Sequence, residues 1–136
     1  MTKTVLGALL VLACCSTSCG DGNGVTAPST EASSPITFTW TSLLSPGGSA
    51  SRLFTASQSG SVSVTLQGAE TPLGIGIGVP RAGGSGCRAS VSAAATPAPE
   101  PQLTTLVESG DYCVIVFDAG EPRAEQIAFM LQVVHP

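Results

Sequence analysis

Two neighbouring stretches of this chain repeat with a period of two, and no other feature restricts its fold as strongly. In Ser61-Val62-Ser63-Val64-Thr65-Leu66-Gln67 the apolar and polar residues alternate without a break. Successive side chains of an extended strand point to opposite faces, so Val62, Val64 and Leu66 share one face and the polar residues share the other, which predicts a half-buried strand. Leu73-Gly74-Ile75-Gly76-Ile77-Gly78-Val79 alternates as strictly, but its second face is bare glycine. Such a strand is weak unless another backbone or an aromatic ring covers that face. The glycines fall at every second position, with no GxGxxG spacing and no helix pattern behind them, so they do not read as a phosphate loop.

Strand signals continue on both sides. Thr37-Phe38-Thr39-Trp40-Thr41 ends in the turn Ser45-Pro46-Gly47-Gly48, and Arg52-Leu53-Phe54-Thr55 follows. Residues 81–101 are small, glycine-containing and proline-containing, and read as an irregular loop around a weak strand at residues 87–91. Residues 102–108 form another strand, turning at Ser109-Gly110-Asp111. Tyr112-Cys113-Val114-Ile115-Val116-Phe117 is a continuous apolar run suited to a central strand. The last strand, residues 127–134, points Ile127, Phe129, Leu131 and Val133 at the core. Seven or eight short strands with no helix between them predict an all-β, two-sheet sandwich over residues 36–136.

The chain has 136 residues, and its first part is of a different kind. Lys3 precedes the apolar run Val5-Leu6-Gly7-Ala8-Leu9-Leu10-Val11-Leu12-Ala13, which reads as a signal peptide over residues 1–13. A spanning helix needs about 20 apolar residues, and this run is half that length. Leu12-Ala13-Cys14 resembles the lipobox of bacterial lipoproteins, in which a cysteine thiol carries a diacylglycerol. Cys14 fits that pattern best. Cys19 is the alternative, because acylation there leaves an even pair, Cys87 and Cys113, in the rest of the chain. Cleavage without a lipid is the third option. Residues 14–35 then form a flexible tether, whose part GDGNGVTAPSTEASSP contains almost nothing that can pack. The expected location is the extracytoplasmic side of a bacterial envelope membrane, or the exterior, with the lipid bilayer as a partner through the acylated cysteine.

Several of these pieces together resemble one family. Leu43-Leu44-Ser45-Pro46-Gly47-Gly48, Phe54, residues 59–66, Gly110-Asp111-Tyr112-Cys113-Val114-Ile115-Val116-Phe117-Asp118 and the terminal Val133-Val134-His135-Pro136 are similar to the bacterial pre-peptidase C-terminal domain family. The resemblance covers residues 36–136 and implies a jelly-roll-like sandwich, an appendage or stand-alone envelope module without catalytic residues of its own. The exposed strand positions, mainly Ser, Thr and Gln, suit contact with an envelope protein or a polysaccharide, and suit plain solubility equally well.

The residues with chemical potential are few. Net charge is −4, and the four arginines, Arg52, Arg81, Arg88 and Arg123, are spread without clustering against nine acids, which argues against nucleic acid as a partner. Cys87 and Cys113 in an exported domain predict a disulfide. A metal held by that pair lacks two further ligands, since His135 is the sole histidine. The same histidine is the only base for a Ser-His-Asp hydrolase, and the chain has no GxSxG elbow, so it reads as a strand-end residue facing water. Glu70, Glu100, Glu108, Asp111, Asp118, Glu121 and Glu125 fall mostly in turns, where carboxylates are solvated. Asp118, Glu121 and Glu125 are the one local group of oxygen ligands and the weak calcium candidates. Trp40 and Tyr112 could stack on a sugar, but with so few aromatics they read as core. No cofactor is expected, and the function expected is a non-catalytic binding or interaction module. The alternatives are a calcium-stabilised accessory module of secreted enzymes and, less favoured, a hydrolase.

Overall fold

The computed structural model describes residues 33–120 and 124–136. Cys14 and Cys19, the signal segment, most of the tether and Glu121 lie outside the described residues. The described part is all-β, with eight strands: β1 (Ile36–Leu44), β2 (Ser49–Ala56), β3 (Gly60–Ala69), β4 (Leu73–Pro80), β5 (Cys87–Ala95), β6 (Leu103–Val107), β7 (Gly110–Phe117) and β8 (Ile127–His135). They form two four-stranded antiparallel sheets, β1-β8-β3-β6 and β2-β7-β4-β5. Strands pair in nested fashion, first with last: β1 with β8, β2 with β7, β3 with β6 and β4 with β5. That nesting is one long hairpin rolled into a sandwich, the jelly-roll topology.

Alternation decides which residues fill the space between the sheets. Val62, Val64 and Leu66 of β3 and Phe129, Leu131 and Val133 of β8 face Leu73, Ile75 and Ile77 of β4 and Val114 and Val116 of β7, all essentially inaccessible to water. Each such side chain contributes roughly 1.5–3 kcal/mol through burial, which makes this layer the main source of stability. Trp40 is half-buried and meets Phe129 edge-on, with ring centroids 4.9 Å apart.

Side chains help to close two edges. Strand β6 pairs with β3 only from Gly60 to Val64, which leaves the Leu66 peptide groups without a strand neighbour on that side. The Gln102 amide and one backbone group take its place: the Leu66 N–H donates to Gln102 Oε1 at 2.7 Å, and the Leu66 carbonyl accepts from the Ala98 N–H at 3.0 Å and from Gln102 Nε2 at 3.4 Å. A buried peptide group without a partner is costly, so this glutamine and the Ala98 amide together substitute for a missing strand. On the opposite side, Arg52 of edge strand β2 reaches across to β1, with its guanidinium 4.8 Å from the Phe38 ring centroid and a donor 3.5 Å from the Thr39 carbonyl. A charge at a sheet edge also opposes pairing with another chain.

The strand expected at residues 87–91 is longer, running from Cys87 to Ala95, so much of the expected irregular loop is ladder. Its residues are mostly Ala and Ser and carry little strand preference of their own. Pairing with the glycine-rich β4 fixes them instead.

Candidate functional site

The glycine face of β4 lies on the outside of its sheet, beside Cys113, Ile115 and Phe117 of β7. It is covered in both of the ways its sequence required. A Cβ on Gly74 would collide with the Phe117 ring, so an aromatic side chain lies over one end. A Cβ on Gly78 would collide with the Arg88 carbonyl, so the backbone of β5 lies over the other. Between them, a Cβ on Gly76 would sit 3.0 Å from Ile115 Cγ2 and 3.1 Å from the Val91 carbonyl oxygen. The β4–β5 register shifts between Ile77 and Gly78, and at this irregularity the start of β5 approaches β7. Cys87 and Cys113 are joined there as a disulfide, with Cα atoms 5.8 Å apart. Only a strand with no side chains on that face permits so close an approach.

Residues 81–86 connect β4 to β5 and form a tight loop. Gly84 N–H donates to the Arg81 carbonyl at 3.0 Å, and Arg81 N–H donates to the Gly86 carbonyl at 3.2 Å. Gly83 and Gly84 have φ of 91° and 77°, a turn that other residues adopt only under strain. The stem of Arg81 lies against Gly86, where a Cβ would be 3.6 Å from Arg81 Cδ. Between this loop and the outer face of β2 and β7 is a cavity of about 300 Å³, lined by Ser49, Ser51, Arg81, Ser85, Cys87 and Ile115, with Gly86 at its margin. Nothing in the sequence brings these residues together. They come from three separate stretches, and serines at edge-strand positions read as ordinary solvent-facing residues.

His135 is a correction. It was expected to face water, but it is 5% exposed, packed against Phe38 and Phe54 with ring centroids 5.9 and 4.9 Å away. The reason is the alternation itself, which continues through Ile127, Phe129, Leu131 and Val133 to residue 135 and so turns that side chain inward. Its Nδ1 lies 3.2 Å from the Pro136 carbonyl oxygen. Tyr112 stacks on Phe54, with centroids 5.9 Å apart, and packs with Trp40 against the core, as expected of both.

Three of the carboxylates have hydrogen-bond partners. Asp118 accepts N–H donors from Gly47 and Gly120 at 3.0 Å each, and its own N–H donates to the Gly48 carbonyl at 3.0 Å, which ties the end of β7 to the β1–β2 turn. Asp111 accepts the Thr55 hydroxyl at 2.7 Å, and Glu108 accepts the Ser59 hydroxyl. Glu125 is exposed and lines a second cavity, of about 370 Å³, with Glu70, Thr71, Ala124, Gln126 and Ile127. Among the described residues no group of three or more His, Cys, Asp or Glu is placed to hold a metal ion. No helix among the described residues is long and apolar enough to cross a membrane. No protein-family model matches the chain, and no curated protein is significantly similar to it.

Proposed function

We propose that this chain is an exported, lipid-anchored protein of a bacterial envelope, whose sandwich is a non-catalytic binding or interaction module of the kind the pre-peptidase C-terminal resemblance implies. The observation that carries the proposal is a disulfide within a small domain, behind a short apolar segment that ends in Leu12-Ala13-Cys14. Structural disulfides persist in oxidising compartments, and a nine-residue apolar run suits cleavage and acylation better than spanning. The non-catalytic part is supported by His135, the sole histidine, which is buried with its ring packed against those of Phe38 and Phe54.

Metabolic labelling of producing cells with an alkyne fatty acid tests the anchor. Label is expected on the wild type and lost in Cys14→Ala. Label kept in Cys14→Ala but lost in Cys19→Ala moves the site, and no label on the wild type overturns the proposal. For calcium stabilisation by Asp118, Glu121 and Glu125, the amides of Gly47 and Gly120 already supply donors to both Asp118 oxygens. A melting temperature unchanged by calcium or chelator is therefore expected, whereas a rise with calcium reversed by chelator favours the accessory-module alternative.

A further inference from the structure

The cavity between residues 81–86 and the outer face of the β2-β7-β4-β5 sheet has chemistry specific enough to name a ligand class. Building on the reading of the domain as an envelope binding module, we propose that this cavity binds a sugar unit bearing a carboxylate, as in an acidic polysaccharide. Arg81 is the only charged residue in its lining, and its guanidinium makes no ion pair among the described residues. Its position is nonetheless defined, because both of its peptide groups are hydrogen-bonded within the loop and its stem lies on Gly86. The guanidinium carried on this anchored backbone offers a planar fork that matches a carboxylate through two parallel hydrogen bonds.

The rest of the lining fits the remainder of such a unit. Ser49, Ser51 and Ser85 bring three hydroxyls, each able to donate and accept, which is what ring hydroxyls need. Ile115 and the Cys87 half of the disulfide give a small apolar patch for the C–H face of a pyranose. At about 300 Å³ the cavity is at the lower end of the range of ligand sites, suited to one ring of a chain whose neighbours continue along the surface. The base of the site is tied on two sides: the disulfide joins β5 to β7, and two backbone hydrogen bonds close the loop. Preorganisation of this kind limits the entropy lost on binding.

The test is calorimetric titration of the full chain, extracted from the envelope in detergent, with tetragalacturonate, with its full methyl ester and with sodium phosphate. Binding of the free acid is expected, with the ester weaker by roughly ten- to a hundredfold, as for loss of a charge-assisted hydrogen-bond pair. Arg81→Gln should lose affinity to the same degree, Arg81→Lys should lose part of it, and Arg88→Gln, outside the cavity, should match the wild type. Ser51→Phe fills the cavity from β2 without touching the loop and should also abolish binding, which covers the case of a loop loosened by Arg81→Gln. Failure of the acid to bind, equal binding of acid and ester, phosphate binding as tight as the uronate, or an Arg81→Gln variant that binds normally each overturns the assignment. A protein that takes up fatty-acid label but does not bind the uronate refutes this site and leaves the envelope reading standing. The reverse result refutes the anchor alone.

Discussion

The two sheets share one core but treat their outer faces differently. On β1-β8-β3-β6 the outward residues are mainly polar, among them Thr37, Thr39 and Thr41 of β1, Ser61 and Ser63 of β3 and Gln132 of β8, joined by exposed Leu43, Leu106 and Met130, so water supplies most of the second face, the buried Thr65 excepted. On β2-β7-β4-β5 the corresponding positions are Gly74, Gly76 and Gly78 beside Cys113, Ile115 and Phe117. There the second face is protein: a ring, the start of β5 folded over Gly78, and a disulfide. A solvated face tolerates most polar side chains, whereas a face covered by backbone tolerates only the absence of one. The first kind of sheet is robust to substitution on its outside and the second is not.

That contrast can be broken by a graded series of variants measured by urea or thermal unfolding. The largest effect is expected from Cys87→Ala with Cys113→Ala, or from reduction. The bridge closes a loop with a sequence separation of 26, so its loss should cost about 3–4 kcal/mol on the chain-entropy model. Gly78→Ala should come next, at about 2–3 kcal/mol, because its new methyl meets the Arg88 carbonyl and the backbone itself must move. Gly74→Ala should cost only about 1 kcal/mol, since the obstacle is the far end of the half-buried Phe117 ring, which can swing aside. Ser63→Val and Gln132→Val, on the outer face of the other sheet, should stay within about 0.5 kcal/mol. If these last two cost as much as Gly78→Ala, the distinction between the faces fails.

Much of this fold was legible because water and core impose a period of two wherever a strand is half-buried. All eight strands have a signal at or near their observed positions, and the sandwich follows from their number and spacing. The glycine run stated its own requirement for a cover, which Phe117 and the start of β5 meet. Strand β5 was underestimated because its small residues state no preference, and its length comes from a long-range partner. His135 was misread by residue type: a polar residue near a chain end suggested solvent, although the period of β8 already placed it inward. The cavity had no signal at all. Ser49 and Ser51 precede Arg81 by about thirty residues, and only the return of the loop over the sheet makes them neighbours.

In the proposed export the chain reaches an oxidising compartment, where the start of β5, lying over Gly78 of β4, is joined to β7 by the disulfide. A non-reduced peptide map of the protein isolated from its own envelope, with thiols blocked at lysis, tests both parts together. Cleavage after Arg81, Arg88 and Arg123 places Cys87 in residues 82–88 and Cys113 in residues 89–123. Those two peptides are expected as one linked species that separates on reduction. Recovery of both as blocked free thiols would contradict the bridge, the oxidising compartment and the export proposal built on them.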